Sequence, residues 1–318
     1  MSGRAPIRLG LALGGPTDAD SWRRTIEVAE WADRNGFDSI WLPEGHLRPG
    51  ASSAPLVALA AIAARTERVR LGTTSLLLSI HDPAQVARDV AALDQLSGGR
   101  VVLGVGRGFE PAMFRAFGVD PRDKRDRFDD ALDAILAAWR AARDASVEAA
   151  PGPCPVQDPH PPIWVAAFGP KGLAQAARRG LPYLASPLES FATIARNFAD
   201  HAAQLPAGVE PRSLAVPVMR TVHVAADAAE ARRVCETAEI EFAAIAARAG
   251  SGLASRAAGA ASERILVGEA AAVAEAIARY REATGLDHLI VRPASGVDAT
   301  QRQASLARLM ERVAPLFA

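Results

Sequence analysis

Val101-Val102-Leu103-Gly104-Val105-Gly106-Arg107-Gly108 is the stretch on which the fold turns. The branched and apolar side chains through Val105 suit a strand covered on both faces, as in a parallel sheet. Gly104, Gly106 and Gly108 then permit backbone conformations and close approaches that a Cβ would block. Arg107 stands at the tip, where the strand ends. Open α/β sheets and α/β barrels hold ligands at that end of their strands. The stretch therefore reads as a buried strand that delivers one cation to an anion site, with a cofactor phosphate as the expected anion. A tight turn with a solvated arginine accounts for the same residues, and a glycine-rich turn by itself does not separate the two.

Outward from this stretch the same unit recurs. Upstream, Ile7–Leu13, Phe37–Leu42 and Arg70–Leu78 are strand candidates. They alternate with helices over Ser21–Arg34, Ala54–Arg65 and the segment opened by Asp82-Pro83, an N-cap followed by proline at the first helical position. Downstream, a helix over Arg125–Trp139 carries Phe128, Leu132, Ile135, Leu136 and Trp139 on one face. A proline-rich connector, Pro151–Pro162, leads to a fifth strand, Ile163–Phe168. Tyr183–Ser186, Ala215–Val224 and His288–Arg292 supply three more, with Pro217 marking a bulge or the true start of its strand. Helices cover Lys171–Arg179, Phe191–Phe198, Asp227–Arg248, Glu269–Thr284 and Thr300–Leu316. Eight strands alternating with helices through the whole chain predict parallel pairing, right-handed crossovers and one (β/α)8 barrel over residues 1–318. Gly250–Ala261, small and flexible in composition, is expected to form a lid loop.

Composition narrows the function classes. The 318 residues are 49% hydrophobic and 23% charged, with a formal net charge of +0. No basic tract points to nucleic acid or to an anionic membrane surface. No run approaches the ~20 apolar residues of a membrane helix. Met1–Pro6 is short and polar, so no secretory leader is expected. Cys154 and Cys235 lie far apart without metal-like spacing and read as free thiols in a reducing cytoplasm.

In a barrel the strand ends are the functional inventory. Strand two ends on Glu44 and His46, strand three on Thr73, Thr74 and Ser75, strand four on Arg107. Strand five offers Ala167, Phe168 and Gly169, strand six Ser186, strand seven Arg220 or His223, and strand eight Arg292. The set has a cation for an anion, small and hydroxyl residues for a flat ligand, and one Glu/His pair for proton transfer. It has no carboxylate cluster for a metal pair, no Gly-x-Ser-x-Gly elbow and no His-Glu-x-x-His helix. Few catalytic side chains around a roomy mouth suggest a cofactor that brings its own reactivity. His81 is assigned to the capping turn before Asp82-Pro83. His160, His201 and His223 read as structural or exposed, and the five tryptophans as packing.

Longer motifs carry a resemblance. They are Asn35-Gly36-Phe37-Asp38-Ser39-Ile40-Trp41, the segment from Ala64-Arg65-Thr66 to Leu71-Gly72-Thr73, and Leu93-Asp94-Gln95-Leu96-Ser97-Gly98-Gly99-Arg100. To these add Gly104-Val105-Gly106-Arg107-Gly108-Phe109, Phe114–Val119 and Pro162–Ala167. Together they resemble the bacterial luciferase-like flavin monooxygenase superfamily along nearly the whole chain. The resemblance implies a barrel that binds reduced FMN or the deazaflavin F420. Arg107 matches an arginine that contacts the FMN phosphate, which favours FMN. Thr74-Ser75 matches a non-prolyl cis peptide beneath the isoalloxazine. Phe168-Gly169-Pro170-Lys171 matches a second phosphate-contacting loop; Lys171 either adds charge there or is a solvated first-turn lysine, and backbone contact from Phe168 and Gly169 is favoured, since amides at a helix start suit an anion.

The function so implied uses O2 and reduced FMN, supplied by a separate flavin reductase, to oxidise a small organic substrate. F420-dependent hydride transfer and a non-catalytic flavin-binding barrel are the alternatives. A homodimer through outer helices is also implied. Luciferases read Glu-His-His where this chain reads Glu44-Gly45-His46, so light emission from a long-chain aldehyde is not expected. His46 becomes the expected general base, with Glu44 ordering its loop.

Overall fold

The computed structural model describes residues 6–15, 18–47, 52–144, 152–167, 169–248 and 260–318. The expected lid lies almost wholly outside them. The chain forms two compact units. An amino-terminal unit holds residues 13–34 and 38–166; a carboxy-terminal unit holds residues 1–12, 35–37 and 167–318.

In the amino-terminal unit, four strands run parallel in the order β2 (Ser39–Leu42), β3 (Arg70–Thr73), β5 (Val101–Gly106) and β6 (Ile163–Ala166). The short β4 (Leu76–Leu77) also pairs with β5, setting Leu76 against Val105 and Leu77 against Gly106. The strand expected over Arg70–Leu78 is thus two strands, parted at a cis Thr74–Ser75 peptide. Every residue of β5 is buried, as its apolar run predicts. Trp41 of β2 lies over Gly72, where a Cβ would fall 2.1 Å from its ring. Trp41 also stacks on Trp164 at 4.9 Å, so both indoles fill core. Between the strands lie α1 (Ala19–Arg34), α2 (Pro55–Ala63), α3 (Pro83–Leu96), α4 (Pro111–Ala116) and α5 (Lys124–Arg143). Asp82 caps α3, its Oδ1 accepting from the Gln85 amide at 2.8 Å. On α5, Phe128, Leu132, Ile135 and Trp139 are buried as their spacing predicts, while Leu136 is half-buried.

The Leu93–Arg100 block that carries the resemblance is a structural clasp. Asp94, wholly buried, accepts from the Gln157 amide at 2.9 Å and from its side chain at 2.8 Å. Arg100 donates to the carbonyls of Ala63, Thr66, Val69 and Ser97. It thereby ties the α2–β3 connection to the end of α3. Five donors in a rigid fork suit an arginine to this work.

In the carboxy-terminal unit, β1 (Arg8–Ala12), β10 (His288–Pro293), β8 (Pro217–Val224) and β9 (Ile265–Gly268) form a parallel sheet in that order. Next to it, β7 (Tyr183–Leu184) is followed by Ala185, which bridges to Val218 of β8. Pro217 is the true start of β8, where the missing N–H costs no interior ladder bond. Strand β9 was not expected: Ile-Leu-Val-Gly is a four-residue run without alternation. The helices are α6 (Pro170–Ala177), α7 (Phe191–Ala202), α8 (Ala228–Arg248), α9 (Ala270–Thr284) and α10 (Ala299–Arg308).

Candidate active site

At the end of β5 the glycines do different things. A Cβ on Gly106 would lie 2.3 Å from Ser75 Oγ, so the cis peptide and the β5 turn lie against each other. Gly108 has φ +75°, and a Cβ there would meet Met113 Cε at 2.7 Å. Between them stands Arg107, half-buried. Lys124, the first residue of α5, is its electrostatic neighbour. Burial, then the positive charges of Arg107 and Arg125, hold the Lys124 ammonium below the ordinary lysine range. Its Nζ lies 5.8 Å from the centre of the Phe114 ring. A cation in the first turn of a helix opposes the helix dipole, and a cationic neighbour adds repulsion. An anion there relieves both. Lys124 was missed in the sequence because it opens a charged run, Lys124-Arg125-Asp126-Arg127, that reads as a solvated face.

The second feature is a carboxylate between two imidazoles. Glu44 has its side chain wholly buried in the segment after β2. Its Oε1 lies 2.7 Å from His46 Nε2 and 2.8 Å from His81 Nε2, and its Oε2 accepts from the Leu77 amide at 2.7 Å. Burial pushes the Glu44 carboxyl up. The His81 hydrogen bond and charge, the Leu77 amide and the His46 hydrogen bond outweigh it and hold the group below the ordinary carboxylate range. The Phe117 ring meets His46 edge-on at 4.8 Å. His81 is therefore no mere capping residue. Asp82 makes the cap, and His81 joins the Glu44 cluster from 37 positions away.

The hydroxyls divide. Thr73 Oγ1 donates to the Gly104 carbonyl at 2.6 Å, so it ties β3 to β5. Thr74 Oγ1, at the cis peptide, is buried without a partner among the described residues, and so is Ser52 Oγ. The Ser52 carbonyl accepts from the Gly45 amide at 2.9 Å, which places Ser52 beside the Glu44 segment. Buried hydroxyls without partners are rare in native interiors unless a ligand or water meets them. A cationic point, a turn stripped of Cβ atoms and an orphan hydroxyl fit a flat, phosphorylated cofactor.

The remaining expected residues belong to the carboxy-terminal unit. Ala167 is buried, and Gly169, with φ +72°, is the N-cap of α6. Phe168 lies outside the described residues. Arg220 and His223, offered as strand-end groups, are turned to structural use instead. Arg220 is wholly buried and donates to Tyr280 Oη at 2.6 Å, the Ser186 carbonyl at 2.9 Å and the Glu189 carbonyl at 2.7 Å. His223 pairs with Glu230 at 2.9 Å. His201 is buried against the Leu181 carbonyl at 2.9 Å, and burial pushes its imidazole down. Arg292 donates to Thr221 Oγ1 at 2.8 Å and Glu241 Oε1 at 2.9 Å.

Parallel strands alternating with helices, with polar residues gathered at strand ends, define an α/β fold of parallel sheet and crossover helices. Comparison with known proteins names the family. The model for luciferase-like monooxygenases matches residues 4–288, and the chain belongs to that family. The chain is 41% identical over 124 residues to 4-hydroxyprotoasukamycin monooxygenase of Streptomyces nodosus subsp. asukaensis, covering 39% of this chain and 33% of that protein. It is 34% identical over 192 residues to the F420-dependent glucose-6-phosphate dehydrogenase of Beutenbergia cavernae, covering 54% and 55%. The chain thus spans about half, or less, of the length of the curated relatives it matches. Among solved structures, the oxygenating constituent of 3,6-diketocamphane monooxygenase from the CAM plasmid of Pseudomonas putida, a complex with FMN, is similar with a TM-score of 0.79 at 21% identity. That match covers 98% of this chain and 99% of the other. The fold is the luciferase-like (β/α)8 barrel. Relatives use FMN or F420. Among the described residues, no helix is long and apolar enough to cross a membrane.

Proposed function

We propose that this chain is the oxygenase component of a flavin-dependent monooxygenase, acting with O2 and reduced FMN from a separate reductase on a small organic substrate. The observation that carries this reading is Arg107 standing between Gly106 and Gly108 at the end of β5, against the Ser75 side chain, with the positive charge of Lys124 in its field. Neighbouring cations suit a terminal phosphate dianion better than a neutral ligand edge. Reduced FMN, when bound, supplies the electrons that activate oxygen. The chain's own part is to hold the phosphate at Arg107, with Lys124 as its cationic neighbour. Thr74 and Ser75 meet the ring, and His46 takes a proton from substrate. Glu44 orients that histidine.

F420-dependent hydride transfer is the second reading, supported by the 34% identity to the Beutenbergia dehydrogenase. Anaerobic titration separates the two. Reduced FMN is expected to bind tightly and reduced F420 weakly, and the reverse result transfers the assignment to hydride transfer. Arg107→Ala is expected to weaken reduced FMN by about 30- to 100-fold, the worth of a charge-assisted contact. Riboflavin, which lacks the phosphate, should lose less than about threefold. Equal losses for both would remove Arg107 from the phosphate.

A further inference from the structure

Glu44 takes the Leu77 amide on one oxygen and two imidazole nitrogens on the other, the surroundings of an ionised carboxylate. An ionised carboxylate accepts hydrogen bonds and donates none. His46 Nε2 and His81 Nε2 sit at 2.7 and 2.8 Å from the same oxygen, distances of charge-assisted hydrogen bonds. Each of those nitrogens must then carry hydrogen. The other oxygen is occupied by the Leu77 amide at 2.7 Å, so the carboxylate cannot turn without giving up a bond. We infer that Glu44 locks His46 and His81 as a matched pair of Nε2–H tautomers, leaving Nδ1 as the atom with which His46 takes a proton, and that His81 is a positioning residue for His46.

The two rings are not equivalent. His46 keeps 11% of its side chain exposed and is sheltered by Phe117, whereas His81 keeps 31%. His46, the proposed base, is thus the more sheltered ring, and His81 is the more open ring on the shared carboxylate. Without His81, Oε1 has one imidazole donor instead of two, and Glu44 and His46 gain freedom to rotate together. This assignment rests on the proposed reading of His46 as the base, but its first test needs neither cofactor nor oxygen.

Long-range ¹H–¹⁵N spectra of the full-length protein report the tautomer of each histidine. Nε2–H is expected on both His46 and His81, with a His46 proton that exchanges slowly with water. His81→Phe is expected to speed that exchange at least about tenfold, while His81→Gln, whose amide reaches the same oxygen, restores protection. In turnover with reduced FMN, His81→Phe is expected to lower kcat about tenfold with flavin affinity unchanged, and His81→Gln to recover most of it. Nδ1–H on His46 in the unmodified protein, or an unchanged His46 proton in His81→Phe, overturns the inference. The stated tautomers without any oxygen-dependent turnover uphold the pairing and overturn the oxygenase reading instead.

Discussion

Glu44 in the amino-terminal unit and Glu189 in the carboxy-terminal unit are both buried carboxylates that follow a strand, yet their surroundings differ in one decisive respect. Glu189 accepts from Tyr183 Oη at 2.5 Å, the Ser186 amide at 3.0 Å and Asn197 Nδ2 at 2.8 Å. Its carbonyl takes Arg220, and Tyr183, Glu189 and Arg220 are all wholly buried. That network is closed. The Glu44 network is bounded by imidazoles that keep some exposure and a second ring nitrogen each. Both satisfy the rule that buried charge must be hydrogen-bonded. Only the second leaves part of its boundary exposed. Residue type at a strand end therefore does not mark a site: Arg220 and Arg107 look alike in sequence, and one is mortar.

The largest effect expected from this contrast falls on the closed side. Arg220→Met takes the arginine donor from the Tyr280 hydroxyl and from the carbonyls of Ser186 and Glu189, of which Ser186 keeps only the Glu189 amide at 3.3 Å. Breaking such a buried polar network costs about 3–5 kcal/mol. Urea unfolding followed by circular dichroism measures it. A loss under about 1 kcal/mol, combined with collapse of flavin binding, would make Arg220 a ligand residue and erase the distinction.

The same contrast explains what was readable in the sequence. Local patterns carried the fold: the buried run of β5, the Asp82-Pro83 start of α3 and the apolar face of α5 all form as their spacing predicts. Strand β9 escaped because three apolar residues and a glycine, Ile265–Gly268, have no period to detect. The break between β3 and β4 has no compositional signal in Leu71–Leu78, and only the resemblance anticipated its cis peptide. In the site, Glu44, His46 and Arg107 were legible as strand-end groups. His81 was not, because the strong capping signal beside it accounted for it locally while its real partner is 37 positions away. Lys124 was hidden for a similar reason: its neighbour Arg107 is close only once the chain has folded.

Opposite pH limbs sharpen the comparison further, with effects smaller than loss of Arg220. The Glu44 carboxyl titrates lower in the folded chain than its ordinary 4.5. Its stabilisation is therefore fully present above 4.5 and is lost as pH falls through the lower folded value. Tyr183 is displaced the other way. Burial, then the charge and hydrogen bond of Glu189, push its hydroxyl well above the ordinary 10.0. That stabilisation is fully present below 10.0 and is lost as pH rises through the higher folded value. Urea midpoints across pH are thus expected to converge between the unmodified chain and Glu44→Gln on the acid side. The unmodified chain and Tyr183→Phe should converge on the alkaline side. If Tyr183→Phe instead altered the acid limb alone, the description of its network as closed around a neutral phenol would fail.

The smallest effect tests whether the open side faces a ligand at all. Thr74 Oγ1 is buried beside the cis peptide without a partner among the described residues. A hydroxyl in that position costs stability unless something meets it, so its removal by the nearly isosteric Thr74→Val should leave stability unchanged or raise it by about 1 kcal/mol. If the flavin ring supplies the missing partner, the same substitution removes one hydrogen bond from the complex and weakens reduced flavin by about 2- to 10-fold. Stability and affinity then move in opposite directions, a combination that no purely structural threonine produces. A gain in stability with unchanged affinity would place the ring away from Thr74 and confine the ligand to Arg107, Lys124 and the Glu44 cluster.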